Sequence, residues 1–145
     1  MIYTPSQTDD GSAEYFSGET SMNTLTSRID KRGVLVLCMN RPEVHNAFDA
    51  EMIRELTGAL LSADRDEAVR LIVITGTGSC FSAGADLNWM RSLVTASEEE
   101  NERDALRLAA LMRSLNYLSK PTIARVNGAA FGGGLGLIAA CDITI

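Results

Sequence analysis

Two short segments of this chain consist mainly of residues with little or no side chain: Ala83-Gly84-Ala85-Asp86 and Gly132-Gly133-Gly134. Each follows an apolar run and precedes a helical pattern. Backbone without side chains lets a ligand come right up to the N–H groups. The N-terminal end of a following helix adds positive potential. A pair of such turns can aim two N–H donors at one oxygen, which is what a developing oxyanion requires. Spacing alone leaves other readings open. The small residues could serve close helix packing, or the glycines could cradle a phosphate. The phosphate reading lacks the lysine of G-x-x-x-x-G-K-[ST] and a G-x-G-x-x-G in the first βα turn.

Other reactive side chains are sparse. His45 is the sole histidine. Cys38, Cys80 and Cys141 are far apart, odd in number and without a C-x-x-C, so neither metal ligation nor a disulfide framework is expected. Three reduced, mostly buried thiols are the simpler reading. The acidic cluster from Glu98 to Asp104 reads as a solvated first helical turn.

The elements that must hold the two loops can be read from periodicity. Val34-Leu35-Val36-Leu37-Cys38-Met39 predicts a strand buried on both faces, ending at the turn signal Asn40-Arg41-Pro42. Asp49 offers an N-cap to a helix over 50–62, with Met52, Ile53, Leu56 and Leu60 at helical spacing and Glu51 in the first turn. Leu71-Ile72-Val73-Ile74 predicts a second strand, stopped by Thr75-Gly76-Thr77-Gly78. The stretch from Ser79 to Asp86 reads as a loop, followed by a short helix around 87–93. Ser97 and Glu100 form a capping box, opening a helix whose apolar face carries Leu108, Leu111, Met112, Leu115 and Leu118 over 105–118. Pro121 to Val126 predicts a third strand with proline at its first residue. Residues 135–140 form a short apolar segment, and 141–145 begin a fourth strand. Strands alternating with helices indicate an α/β domain with crossovers.

Composition bounds the rest. The chain has 145 residues, 46% hydrophobic and 22% charged, the profile of a globular protein. A net charge of -6 argues against a nucleic-acid partner, since phosphate backbones need a surplus of Lys and Arg. No run of eighteen apolar residues exists, so no membrane span is expected. Residues 1–23 read as a disordered leader, polar and without sustained period, with Met22 as a candidate true start. The leader resembles neither a signal nor a transit peptide, which makes a cytoplasmic location the default. Ending within a strand suggests that residue 145 is a truncation.

Taken in order, Asn40-Arg41-Pro42-Glu43-Val44-His45-Asn46-Ala47-Phe48, Phe81-Ser82-Ala83-Gly84-Ala85-Asp86-Leu87, Lys120 through Gly134, and Cys141-Asp142-Ile143 resemble the enoyl-CoA hydratase/isomerase (crotonase) superfamily over about residues 24–145. The resemblance implies an α/β fold of the crotonase type, a spiral of ββα units, incomplete here with its C-terminal part missing. It implies an acyl-CoA thioester as ligand and homotrimers or hexamers when full length. No cofactor is implied, because coenzyme A is part of the substrate. Carried onto this sequence, the resemblance makes Ala85 and Gly133 the N–H donors that polarise the thioester carbonyl. It places Val44, His45, Ala83, Ala85, Asp86, Leu87, Asn88, Gly132, Gly133 and Gly136 along the substrate. Asp86 reads mainly as a helix N-cap holding the loop, and His45 as either a contact near the CoA phosphate or a surface-turn residue.

One position departs from the resemblance. Hydratases of this superfamily generally carry a glutamate three residues after the middle glycine of the Gly-Gly-Gly; here that residue is Gly136. Three readings follow. One is a subfamily that works with the family's second glutamate alone, a position falling beyond Ile145: the segments 131–137 and 86–91 resemble bacterial methylglutaconyl-CoA hydratase-like members, with 3-methylglutaconyl-CoA as substrate in leucine or acyclic-terpene degradation. The same enolate platform could instead shift a double bond, or the protein could bind acyl-CoA esters without turnover. Arg91 is a candidate partner for the distal carboxylate of a glutaconyl group, or an exposed helix arginine. A piece of 145 residues is expected to be poorly soluble or partly folded, and inactive, by itself, because apolar helix faces at 50–62 and 105–118 would be left open.

Overall fold

A computed structural model describes residues 16–145. Strands β1 (Phe16–Ser21), β2 (Leu25–Asp30) and β3 (Val34–Met39) form an antiparallel meander. Helix α1 (Ala50–Arg65) crosses over to β4 (Leu71–Gly76), which pairs with β3 in parallel from Val34↔Leu71 to Met39↔Gly76. A short strand β5 (Cys80–Ser82) leads to α2 (Leu87–Thr95) and α3 (Glu98–Asn116). The pattern then recurs: β6 (Thr122–Ala124), a short β7 (Ala129–Ala130), α4 (Gly133–Ala140), and β8 (Ile143–Thr144).

Two ββα units are therefore visible, β4–β5–helix and β6–β7–helix. In each, the first strand joins a sheet of order β1-β2-β3-β4-β6-β8 and the second joins a separate β5-β7 pair. The α/β spiral of ββα units expected from the sequence is the architecture found. β8 is held beside β6 partly by Asp142, whose carboxylate accepts from the Thr122 N–H and hydroxyl, both at 2.8 Å.

The core lies between the sheet and α1 with α3. Leu25, Leu37, Met39, Ile72 and Ile74 meet Met52, Leu56, Leu60 and Leu111, all at 0% exposure. Each fully buried Leu or Met of this kind contributes about 1.5–3 kcal/mol through removal of apolar surface from water. The Asp49 side chain accepts from the Met52 N–H at 2.8 Å, as its N-cap position implies, and Ser97 with Glu100 closes the expected capping box.

Four sequence expectations need correction. Residues 16–21, assigned to a disordered leader over 1–23, form β1, with Glu19↔Arg28 and Ser21↔Thr26 in register. The strand escapes notice because FSGETS has no alternating apolar pattern; its backbone pairing alone makes it a strand. Residues 1–15 of that leader lie outside the described residues. β3 is fully buried only at Leu37 and Met39, while Val34, Val36 and Cys38 are half-buried, because the helices of the core pack on one face of the sheet. The supposed loop 79–86 contains β5, too short for any periodicity to show. Finally, the helix opened by the Ser97–Glu100 box runs Glu98–Asn116, so Leu118, expected on its apolar face, lies beyond its end.

Candidate functional site

The two glycine-alanine loops meet because the short strands before them pair. β5 and β7 run parallel, with Cys80↔Ala129 and Ser82↔Ala130 as partners, so the chain leaves both at the same end. Residues 83–86 then emerge beside 131–134. The Phe131 N–H donates to the Ser82 carbonyl at 2.9 Å. Gly84 has φ +89°, and a Cβ there would lie 3.0 Å from the Phe131 oxygen. That position needs glycine both for its left-handed backbone and for the close approach of the second loop.

A third segment locks onto the first. The loop between β3 and α1 carries His45 (φ 53°) and Asn46 (φ 54°), consecutive non-glycine residues in the left-handed region. Such conformations cost about 1–3 kcal/mol each and persist only where neighbours over-determine them. Here the fully buried Asn46 amide supplies the hold: its Nδ2 donates to the carbonyls of Thr77 and Cys80, both at 2.9 Å, and its Oδ1 accepts from the Arg41 N–H at 2.9 Å. The bend lets the His45 carbonyl accept from the Ala83 N–H at 2.9 Å. Ser82 ties the same place together, donating its hydroxyl to the Asn46 carbonyl at 2.8 Å and accepting from the Gly84 N–H at 3.2 Å. Phe48 bridges to Ala85: its N–H donates to the Gly84 carbonyl at 2.6 Å and its carbonyl accepts from the Asp86 N–H at 2.8 Å.

Along 83–86 the N–H groups of Ala83, Gly84 and Asp86 are thus all taken. That of Ala85 has no acceptor among the described residues, and Ala85 is exposed. In the second loop, the N–H groups of Gly134 and Leu135 donate to the carbonyls of Phe131 and Gly132, while that of Gly133 is left over at the first position of α4. Gly133 also rests on the Phe48 ring; a Cβ there would come within 2.9 Å of two ring carbons. The same phenylalanine backs both loops. Two N–H donors without an acceptor among the described residues, one on exposed Ala85 and one on half-buried Gly133 at a helix N-terminus, lie on touching loops and form an arrangement suited to an anionic or strongly polarised oxygen.

Asp86 anchors the assembly. Its Oδ1 accepts from the N–H groups of Asn88 at 2.8 Å and Trp89 at 3.2 Å, capping α2, and its Oδ2 meets Arg41 Nη2 at 3.0 Å. Burial pushes its pKa up, but the Trp89 and Asn88 N–H groups and the Arg41 guanidinium outweigh this and hold it below the ordinary 3.8. Asp86 is therefore a charged N-cap, as expected, and not a proton donor near neutral pH.

Of the residues named from the sequence, His45, Ala83, Ala85, Asp86, Gly132 and Gly133 come together here. Val44 ends the 3-10 turn leading into His45, half-buried, and the His45 side chain is exposed. Leu87 and Asn88 are exposed at the start of α2. Gly136 lies one turn into α4, where a Cβ would meet the flexible end of Met112 at 3.2 Å. Arg91 is exposed on α2 and donates to Asn88 Oδ1 at 3.2 Å, the arrangement of a surface helix arginine. Arg41, Asn46, Phe48 and Ser82 were quoted in the motifs but given no role; their work is to join segments distant in sequence, which no local pattern announces. The Cys141 thiol is pushed up to about 11 by burial, so it is not a nucleophile near neutrality. Among the described residues no group of three or more His, Cys, Asp and Glu could hold a metal ion, and no helix is long and apolar enough to cross a membrane. A cleft of about 660 Å³ between α1 and α3, lined by Ile53, Thr57, Leu61 and Ala110 among others, lies apart from the two donors.

Comparison with known proteins follows the same outline. Residues 30–145 match the family model described as enoyl-CoA hydratase/isomerase. The crystal structure of an enoyl-CoA hydratase from Shewanella pealeana superposes with a TM-score of 0.81 at 43% identity, covering 84% of this chain and 46% of that one. A 4-chlorobenzoyl coenzyme A dehalogenase of Arthrobacter is 40% identical over 78% of this chain and 41% of its own. A crotonyl-CoA hydratase of Syntrophomonas wolfei is 40% identical over 76% of this chain and 42% of its own. The chain thus spans less than half the length of these relatives.

Proposed function

The chain belongs to the enoyl-CoA hydratase/isomerase family, and from that premise we propose that the N–H groups of Ala85 and Gly133 grip the carbonyl oxygen of an acyl-CoA thioester in an enzyme that hydrates its α,β double bond. The observation that carries this reading is the pair of free N–H donors on adjoining loops, both backed by Phe48. When water adds at Cβ, the new C–O bond displaces the double-bond pair towards the thioester oxygen, and the water loses a proton. The resulting enolate places negative charge on that oxygen. Fixed dipoles stabilise it without reorganising, and one such donor is typically worth about 100- to 1000-fold in rate. Protonation at Cα completes the addition. Coenzyme A enters as part of the substrate, and the proposal calls for no resident cofactor.

The finer assignment, 3-methylglutaconyl-CoA, is supported by the resemblance of segments 86–91 and 131–137. Arg91 adds nothing to it, being turned to Asn88 on the surface. Gly136 favours a second reading, double-bond isomerisation, since α4 offers no carboxylate there to activate water. Assembly as a trimer or hexamer is a proposal on the same footing as the substrate.

The test follows the conjugated thioester absorbance of the intact protein with crotonyl-CoA, 3-methylglutaconyl-CoA and a 3-enoyl-CoA. Loss of absorbance with either conjugated ester is the expected result, and a preference for the second supports the branched substrate. Gain of absorbance from the 3-enoyl ester alone would replace hydratase by isomerase. Binding without any change would leave an acyl-CoA binder, and absence of binding would overturn the proposal.

A further inference from the structure

Ala85 has only a methyl side chain, so the direction of its N–H is set by its neighbours. Those neighbours converge on one guanidinium. Arg41 has a side chain 17% exposed, and its Nη1 donates to the Ala47 carbonyl at 2.7 Å and lies 3.1 Å from Asp49 Oδ2. Its Nη2 meets Asp86 Oδ2 at 3.0 Å. Ala47 and Asp49 flank Phe48, the residue bridged to Ala85, and Asp86 follows Ala85 directly. One planar cation therefore holds both sides of the Phe48–Ala85 bridge. The Arg41 backbone is itself held, its N–H donating to Asn46 Oδ1 at 2.9 Å.

We propose that Arg41 is a positioning residue for the oxyanion donor at Ala85, fixing that N–H through Asp86 on one strand of the bridge and through residues 47–49 on the other. This rests on the reading above that the Ala85 N–H polarises a thioester carbonyl. Arginine suits the task where lysine does not. The fork reaches acceptors on two segments at fixed angles, while an ammonium is a point charge on a flexible stem. Asp86 divides its oxygens accordingly, one capping α2 and one taking Arg41, so the guanidinium also sets where α2 begins. Without the cation, Asp86 and Asp49 would face each other's charge beside the bridge with their shared counter-ion removed, and the bridge would shift to separate them.

A purely structural arginine would change stability and leave the donor's action on substrate alone. The discriminating readout is therefore the bound substrate's own carbonyl. Crotonyl-CoA labelled with ¹³C at the thioester carbonyl is bound to the intact wild-type protein, R41K and R41M, and the C=O stretch is read by isotope-edited infrared spectroscopy. In wild type the stretch moves to lower frequency on binding. In both variants the expected result is loss of at least half of that displacement, with kcat reduced about 10- to 100-fold and KM little changed. A folded R41M or R41K whose bound carbonyl matches wild type overturns the inference. If both variants fail to fold, Arg41 is structural and the inference is likewise overturned. A wild-type protein that binds crotonyl-CoA with no displacement at all sinks the proposed function, and this inference with it.

Discussion

The knot formed by residues 41–49 and 82–86 and the helical arm of α2 and α3 are joined at Asp86, yet they are built on different principles. In the knot, Asn46, Phe48, Ser82 and Asp86 are each at most 5% exposed, and their hydrogen bonds link residues more than thirty positions apart. In the arm, α2 has no buried residue and α3 buries only Leu111 and Leu115, near its C-terminal end. Leu87, Met90, Val94 and Leu106 are all exposed, and clefts of about 490 and 400 Å³ run along α2. Away from the core contacts of Leu111 and Leu115, the arm is held by local devices: the Asp86 cap, the Ser97–Glu100 box and a long Trp89 Nε1 bond to Asp104 at 3.3 Å. The difference teaches that the N–H donors are fixed by long-range bonding that owes little to the arm.

Substitutions that strike one region and spare the other would break or sharpen this contrast. The largest effect is expected from Asn46→Ala. It strips acceptors and donors from buried groups of Thr77, Cys80 and Arg41, and should cost about 3 kcal/mol in denaturant unfolding. A loss below about 1 kcal/mol would mean that the knot is not held as described. Ser97→Ala removes the box at the arm's start and should cost about 1 kcal/mol. Hydrogen exchange should show that loss as fraying of α3, with the amides of residues 46–48 unchanged; a matching loss of protection at 46–48 would unite the two regions.

The smallest and most diagnostic effect concerns acid. Asp86 and Glu100 both have lowered pKa values: for Asp86 hydrogen bonds outweigh burial, and for Glu100 the Ser97 N–H and hydroxyl dominate. A carboxylate with a folded pKa below its unfolded one stabilises the fold fully above the unfolded value, 3.8 for Asp86 and 4.5 for Glu100, and loses this as pH falls through the folded value. Asp86→Asn should therefore flatten the acid limb of the stability–pH curve. Glu100→Gln, at an exposed site screened by water, should leave it nearly unchanged. Equal flattening by both would erase the distinction between knot and arm.

Much of the fold was legible beforehand. The runs 34–39 and 71–74 became neighbouring parallel strands, and Asp49, Asp86, Ser97 and Glu100 proved to be helix caps because capping is local chemistry that leaves local marks. The site was half legible. Its glycines and alanines stood out, whereas Arg41 and Asn46 gave no sign of their tasks, since each acts on groups thirty to forty-five residues away. β1 was missed for the opposite reason: a polar edge strand needs only backbone pairing, and composition is silent about that.

Residue order alone decided which backbone would be bare: small side chains at 83–85 and 132–134 are covalent facts, and they hold whatever the chain does next. That the bare stretches act together was decided only in three dimensions. The register of β5 with β7, two- and three-residue strands without periodicity, brings the loops to one end. The left-handed turn at His45 and Asn46 and the guanidinium of Arg41 then hold Ala85 so that its N–H meets no acceptor among the described residues. A free donor is defined by the partners it lacks, and such a lack exists only when every surrounding partner has been placed.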